Sequence, residues 1–294
     1  MELGSNRWKT VWLKRGELEL CILPGLGGRL WDIRVGGQSI MFQNHDLTGC
    51  ALEGSDLSQL PTRAPHLKFP LWGGEKTWVA PQAAWPEDAP HRTLDVEAYK
   101  LEGSQDRALL TSQVCQVTGL SVRRTIELGD DACFAMTHYL SNESTAPISA
   151  APWSVMMLRR PLRVLWLSAS DTPYAPVFGE PDGKVRVSSG LVEAACLDPR
   201  EYKVYADRTH CVFDVGGVAF LATVQGASGH RPEGHGALEV YNSGAYDYGE
   251  VEWVGRMKHL APGEKTELTV RFRHIPNLES VSMARAVLEE GKEI

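Results

Sequence analysis

The chain has 294 residues, 43% of them hydrophobic and 23% charged, and carries a formal net charge of -7 at pH 7. Mixed signs with an acidic excess argue against nucleic acid or an anionic membrane surface as partner, because both demand a basic face. No apolar run reaches the roughly 18 residues of a membrane-spanning helix, and Cys21, Cys50, Cys115, Cys133, Cys196 and Cys211 lack any Cys-x-x-Cys or Cys/His ligand spacing.

From the N-terminus, "MELGSNRWKTVWLKRGELELCIL" lacks the apolar core of a signal peptide and passes straight into alternation. With reduced, mostly buried thiols, this predicts a cytoplasmic protein. "TVWLKRGELELCIL" alternates up to a Pro-Gly turn, and "LWDIRVGGQSIMF" predicts a hairpin closed by Gly36-Gly37. From about Asp46 to Leu94 no strand pattern is evident. Within that stretch, "FPLWGGEKTWVAPQAAWPEDAP" gathers Trp72, Trp78 and Trp85 around Gly73-Gly74. A segment this long and aromatic predicts a structured, functional loop, here the lip of a ligand groove.

"RALLTSQVCQVTGLSVRRTIELGDDACFAMTHYLSN" predicts three strands broken at Gly119 and Gly129-Asp130-Asp131. "RVLWLSAS", "KVRVSS", "HCVFDVGGVAFLATVQ", "ALEVYNS", "YGEVEWVG" and "ELTVRFRHI" continue the period of two. Only the tail reads as a helix, capped by Asn277, with Leu278, Val281, Ala284 and Leu288 as its apolar stripe. The expectation is an all-β protein of two large packed sheets with a short C-terminal helix, in one domain over 1–294.

In "YDYGEVEWVG", Tyr248, Glu250 and Glu252 share one strand face and Val251 and Trp253 the other. Two carboxylates beside a tyrosine suit the acceptance of hydroxyl hydrogen bonds or the removal of one proton. Same-face neighbours lie about 6.6 Å apart and point in parallel rather than flanking a bond, which favours a single base over a hydrolytic pair. Lys76, between Gly74 and Trp78, is a candidate donor to a sugar hydroxyl, and Gln82 offers donor and acceptor together. Trp78 and Trp153 are candidate stacking surfaces for a pyranose. Arg29 and Arg124 either reach the groove or pair with carboxylates. His230 and His235 in "GHRPEGH" lack a third ligand at recognisable spacing, so no metal is expected.

Taken in order, "LPGLGGRLWDIRVGGQSIMFQN", "WGGEKTWVAPQAAWP", "VRRTIELGDDACFAMTHYLSNESTAPISAAPW" and "EVYNSGAYDYGEVEWVGRMKHLAPGEKTELTVRF" resemble galactose mutarotase-like proteins of the aldose 1-epimerase superfamily. The second segment looks like the GG-x-K-T-W-x-A-P-Q signature of an uncharacterised branch. The resemblance implies a β-supersandwich with a small-carbohydrate site on one sheet face and no cofactor. In mutarotases a histidine protonates the ring oxygen and a glutamate takes the anomeric proton. By position the glutamate corresponds to Glu252, with Glu250 as rival. The histidine has no counterpart in the family's Asn-His pattern, and His138 in "AMTHYLSN" is the nearest candidate. The expected function is therefore an aldose 1-epimerase-like enzyme. The alternatives are a non-catalytic sugar-binding protein, or a lyase or glycosidase on the same frame.

Overall fold

The computed structural model describes residues 7–50, 52, 55–85, 88–168, 172–225 and 229–291. Two antiparallel sheets dominate it, of eleven and ten strands. The larger runs, edge to edge, through Val11–Arg15, Leu18–Leu23, Arg29–Val35, Glu75–Ala80, Ile148–Arg159, Tyr248–Val254, Leu238–Asn242, Tyr202–Ala206 and Ala175–Gly179. Two short strands, Gln38–Ser39 and Lys258–Leu260, pair alongside this path. The smaller sheet contains the strands Lys265–Ile275, Cys133–Asn142 and Leu120–Leu128, which pair as neighbours. The all-β reading with two large sheets therefore holds.

Alternation decides which side chains enter the core. Met156, Leu158, Val251 and Trp253 project from the larger sheet towards Phe134, Phe213, Phe220 and Phe272 of the smaller. Trp253 meets Phe272 edge-on at 5.3 Å, and Phe272 stacks on Phe134 at 4.4 Å. The Gly36-Gly37 turn closes its hairpin with both glycines at positive φ, the geometry of a type I′ turn.

Three expectations need correction. The stretch from Asp46 to Leu94 is not free of strands: Glu75–Ala80 lies between Arg29–Val35 and Ile148–Arg159 in the larger sheet. Its polar composition hid it, because both faces meet buried polar groups rather than one face meeting water. The C-terminal helix is Val281–Glu290, and its cap is Ser280, whose side chain accepts from the Met283 N–H. Asn277 sits earlier, in a left-handed turn conformation. Of the proposed stripe, Ala284 and Leu288 pack on the outside of the smaller sheet, whereas Val281 is exposed. The strand read through Ser170 ends at Leu167, and residues 169–171 lie outside the described residues.

Gly73 sets the entry to the Glu75 strand. Its φ is +101°, and a Cβ there would stand 2.4 Å from the Phe42 carbonyl oxygen. Only glycine permits that approach, through which Gly74 N–H reaches Phe42 O at 2.8 Å.

Candidate functional site

Cross-strand register brings the charged residues together. Val155 pairs with Lys76 on one side and Glu252 on the other, and Glu252 pairs with Glu239. Trp78 stands opposite Trp153, and Glu250 lies between Met157 and Tyr241. Tyr241 in turn faces Lys203. Paired residues share a face, so all of these project from the larger sheet on the side away from the smaller one.

Glu252 is the centre of a polar network. Its Oε2 accepts from Trp153 Nε1 at 2.8 Å and from Lys203 Nζ at 2.9 Å. Lys203 also reaches Glu239 at 2.7 Å, and Glu239 Oε1 bonds His235 Nδ1 at 2.8 Å. Glu252 is 0% exposed and its Oε1 has no hydrogen-bond partner among the described residues. Lys76, 3% exposed, lies 4.1 Å over the Trp78 ring and 3.7 Å from Glu250 Oε1.

Three carboxyl groups thus share a buried face with two ammonium groups, which leaves one negative charge in excess if all ionise. Burial resolves the excess by keeping a proton on Glu252. Desolvation, aided by Glu239 and Glu250 and opposed by Lys203, pushes its carboxyl up to about 8. Burial also works against ionised Glu239, but Lys203 and His235 outweigh it and hold that group below the usual carboxylate range. For Lys76, burial lowers the ammonium pKa against the pull of Glu250.

A stability consequence follows. A carboxyl at about 8 in the fold and 4.5 when unfolded binds its proton more tightly in the native state. Its contribution is complete below pH 4.5 and is lost as pH rises towards 8. The thermal midpoint of wild type is expected to fall across that window relative to Glu252→Gln. Parallel slopes in a pH series of melts would contradict the assignment.

The other expected site residues fare differently. Trp153 is in the network as a donor, and Tyr248 shares the face but is buried beneath Phe42, stacked at 4.7 Å. Gln82 is exposed in a short 3-10 turn after Pro81, outside this row. Arg29 is buried and bonded to Asp95 Oδ1 at 2.8 Å and to the Gly73 carbonyl, so it braces the loop. Arg124 pairs with Glu75 in the core between the sheets.

His138 requires the plainest correction. It stands on the opposite side of the larger sheet, 0% exposed between the two sheets, with Nδ1 at 2.7 Å from Thr77 Oγ1. Burial and Arg124 lower its pKa well below the ordinary imidazole value. A histidine there has no path to a ligand on the outer face. The histidine that does reach the network is His235, which sequence reasoning weighed only as a metal ligand. Its position four residues before Glu239, across Gly236, was the available signal. Among the described residues, no group of three or more His, Cys, Asp or Glu side chains is arranged to hold a metal ion, and no helix is long and apolar enough to cross a membrane.

No family model and no curated protein matches this sequence. Solved structures do. The Slr1438 protein from Synechocystis sp. aligns with a TM-score of 0.60 at 12% identity, over 93% of this chain and 98% of its own. A galactose mutarotase-like protein from Lactobacillus casei gives 0.62 at 8% identity, over 91% and 100%. A second galactose mutarotase-like protein, from Clostridium acetobutylicum, gives 0.55 at 13% identity, over 91% and 95%. At such identities the likeness shows the fold, a galactose mutarotase-like pair of large sheets, and not an activity.

Proposed function

We propose that the outer face of the larger sheet binds a small sugar or sugar derivative and interconverts its anomers by acid–base catalysis. One observation carries this reading: a fully buried Glu252 with an unpartnered Oε1 stands on the same strand face as Glu250, where burial favours its protonated form. Glu252 is suited to give its proton to the ring oxygen while Glu250, beside Lys76, takes the proton of the anomeric hydroxyl. The C1–O5 bond then breaks as the anomeric oxygen becomes a carbonyl. Rotation about C1–C2 and the reverse transfers close the ring on the other face. The step is redox-neutral and needs no co-reactant.

The proton-accepting ring oxygen and the proton-donating anomeric hydroxyl belong to one anomeric centre, so two parallel carboxyls about 6.6 Å apart along a strand suit this chemistry better than glycoside hydrolysis. Glu252, which the resemblance implied as the base, thus takes the acid role that a histidine fills in mutarotases, because burial favours its neutral form, and its rival Glu250 takes the base role. His235, Glu239 and Lys203 position the Glu252 carboxyl, and Trp153 fixes its orientation.

The test is a saturation-transfer NMR screen against monosaccharides, with anomer exchange followed in the same samples. Binding with accelerated exchange is expected. The absence of binding to any sugar would overturn the reading. Binding without exchange would favour a sugar-binding protein, an alternative supported by the depth of burial of Glu252 and Glu250, 0% and 6% exposed. If Trp78 walls the ligand, sugar addition changes tryptophan fluorescence in wild type and much less in Trp78→Phe; equal changes in both proteins would remove Trp78 from the site.

A further inference from the structure

A pocket of about 300 Å³ lies where the end of the Glu75–Ala80 strand meets the start of the Ile148–Arg159 strand. Of the residues in the carboxylate cluster it shares only Trp78. Its apolar wall is Trp78, Trp85 and Pro81, the two indoles edge-to-face with centroids 4.9 Å apart. Asp95, His91 and Thr118 supply the polar wall.

Asp95 is 3% exposed. Its Oδ1 receives both Arg29 Nη2, at 2.8 Å, and Trp78 Nε1, at 2.9 Å, while no hydrogen bond to Oδ2 exists among the described residues. Asp95 lines the pocket, and this oxygen is open to it rather than sealed in the core, so a ligand that brings a donor finds an acceptor there. The Asp95 charge is already matched by Arg29, and the fitting donor is therefore neutral, a hydroxyl rather than an ammonium. His91 Nδ1 accepts the Thr93 N–H at 3.3 Å, which places the ring proton on Nε2 and makes that nitrogen a donor. Burial lowers the His91 pKa, in keeping with a neutral ring. One acceptor and one donor thus line the pocket together with the two indoles, and the volume is at the small end of ligand pockets.

We propose that this pocket is a second binding site, distinct from the carboxylate cluster, for a neutral hydroxylated ring the size of a monosaccharide. The ring lays a C–H face on one of the two indoles, meets the other at its edge, and turns hydroxyls towards Asp95 and His91. An anionic ligand would bring acceptors rather than donors to the Asp95 oxygen, and a purely apolar one would offer it no donor at all.

The probes are methyl glucopyranoside and methyl galactopyranoside, whose locked anomeric centres prevent turnover. In 15N-labelled protein the indole N–H signals of Trp78 and Trp85, assigned with the help of Trp85→Phe, report the pocket directly. Saturable shifts of both are expected in wild type. Ala84→Trp, at an exposed position lining the pocket, is expected to weaken that binding at least tenfold, and Val117→Trp on the exposed rim serves as an independent block. No shift with either glycoside, or wild-type affinity in both blocked variants, overturns the proposal. Free-glucose anomer exchange keeps the two sites apart. If the outer-face reading is right, Ala84→Trp still accelerates glucose exchange, although its pocket no longer binds the glycosides. Indole shifts in a wild type that exchanges nothing would sink the outer-face mechanism and leave this pocket standing.

Discussion

Glu252→Gln is expected to slow anomer interconversion by about 10²–10⁴-fold, the usual contribution of one positioned proton donor or acceptor. The amide keeps the shape of the carboxyl, and its oxygen still accepts from Trp153 Nε1 and Lys203 Nζ, now at 2.8 and 2.9 Å from Oε2. What it removes is the exchangeable proton on a group that burial holds near 8. Sugar binding should therefore survive, and stability at neutral pH should stay level or rise, since the amide folds without taking up the proton that Glu252, ionised in the unfolded chain, has to bind. Exchange spectroscopy on equilibrating glucose or galactose gives the rate, and a melt gives the stability. Turnover within a factor of two of wild type would remove Glu252 from the chemistry.

Breaking the ion pair beneath the site is expected to have the largest effect on folding. Glu75 and Arg124 are both fully buried between the sheets, where Glu75 also accepts from Ser154 Oγ at 2.9 Å and Arg124 donates to the Gly28 carbonyl at 2.6 Å. Removing either partner alone strands a charge in the core, and Glu75→Leu or Arg124→Met should each cost about 3–5 kcal/mol. Replacing both with apolar residues of similar volume, as in Glu75→Leu with Arg124→Met, should recover most of that loss. Denaturant unfolding of the four proteins measures the cycle. Single variants that lose less than about 1 kcal/mol would mean that water or a rearranged partner reaches the pair.

Much of the fold was legible because alternation survives wherever one strand face is apolar. Val251 and Trp253 against Glu250 and Glu252 separate the two faces correctly, and the structure differs only in burying the polar one. The Glu75 strand escaped notice for the same physical reason. It carries Glu75 and Thr77 on one face and Lys76 and Trp78 on the other, so no hydrophobic period marks it. Lys76, Trp78, Trp153 and Glu252 were each legible as candidates, but that they share one sheet face comes from the pairing register. His138 misled because period-two reasoning gives alternation but not which side faces the partner sheet. Lys203 and Glu239, from strands distant in sequence, meet Glu252 only through pairing register, and no local pattern encodes that register.

Trp78 sits at the junction of both candidate sites. Its indole N–H is tied to Asp95, and its ring face carries the Lys76 ammonium at 4.1 Å. A ligand that tilts this ring from the pocket side changes the cation–π contact of Lys76, and with it the field felt by Glu250. Equilibrium coupling is reciprocal, so occupation of either site would alter affinity at the other by the same factor. A single tryptophan would then serve as a thermodynamic hinge between two ligands that never touch.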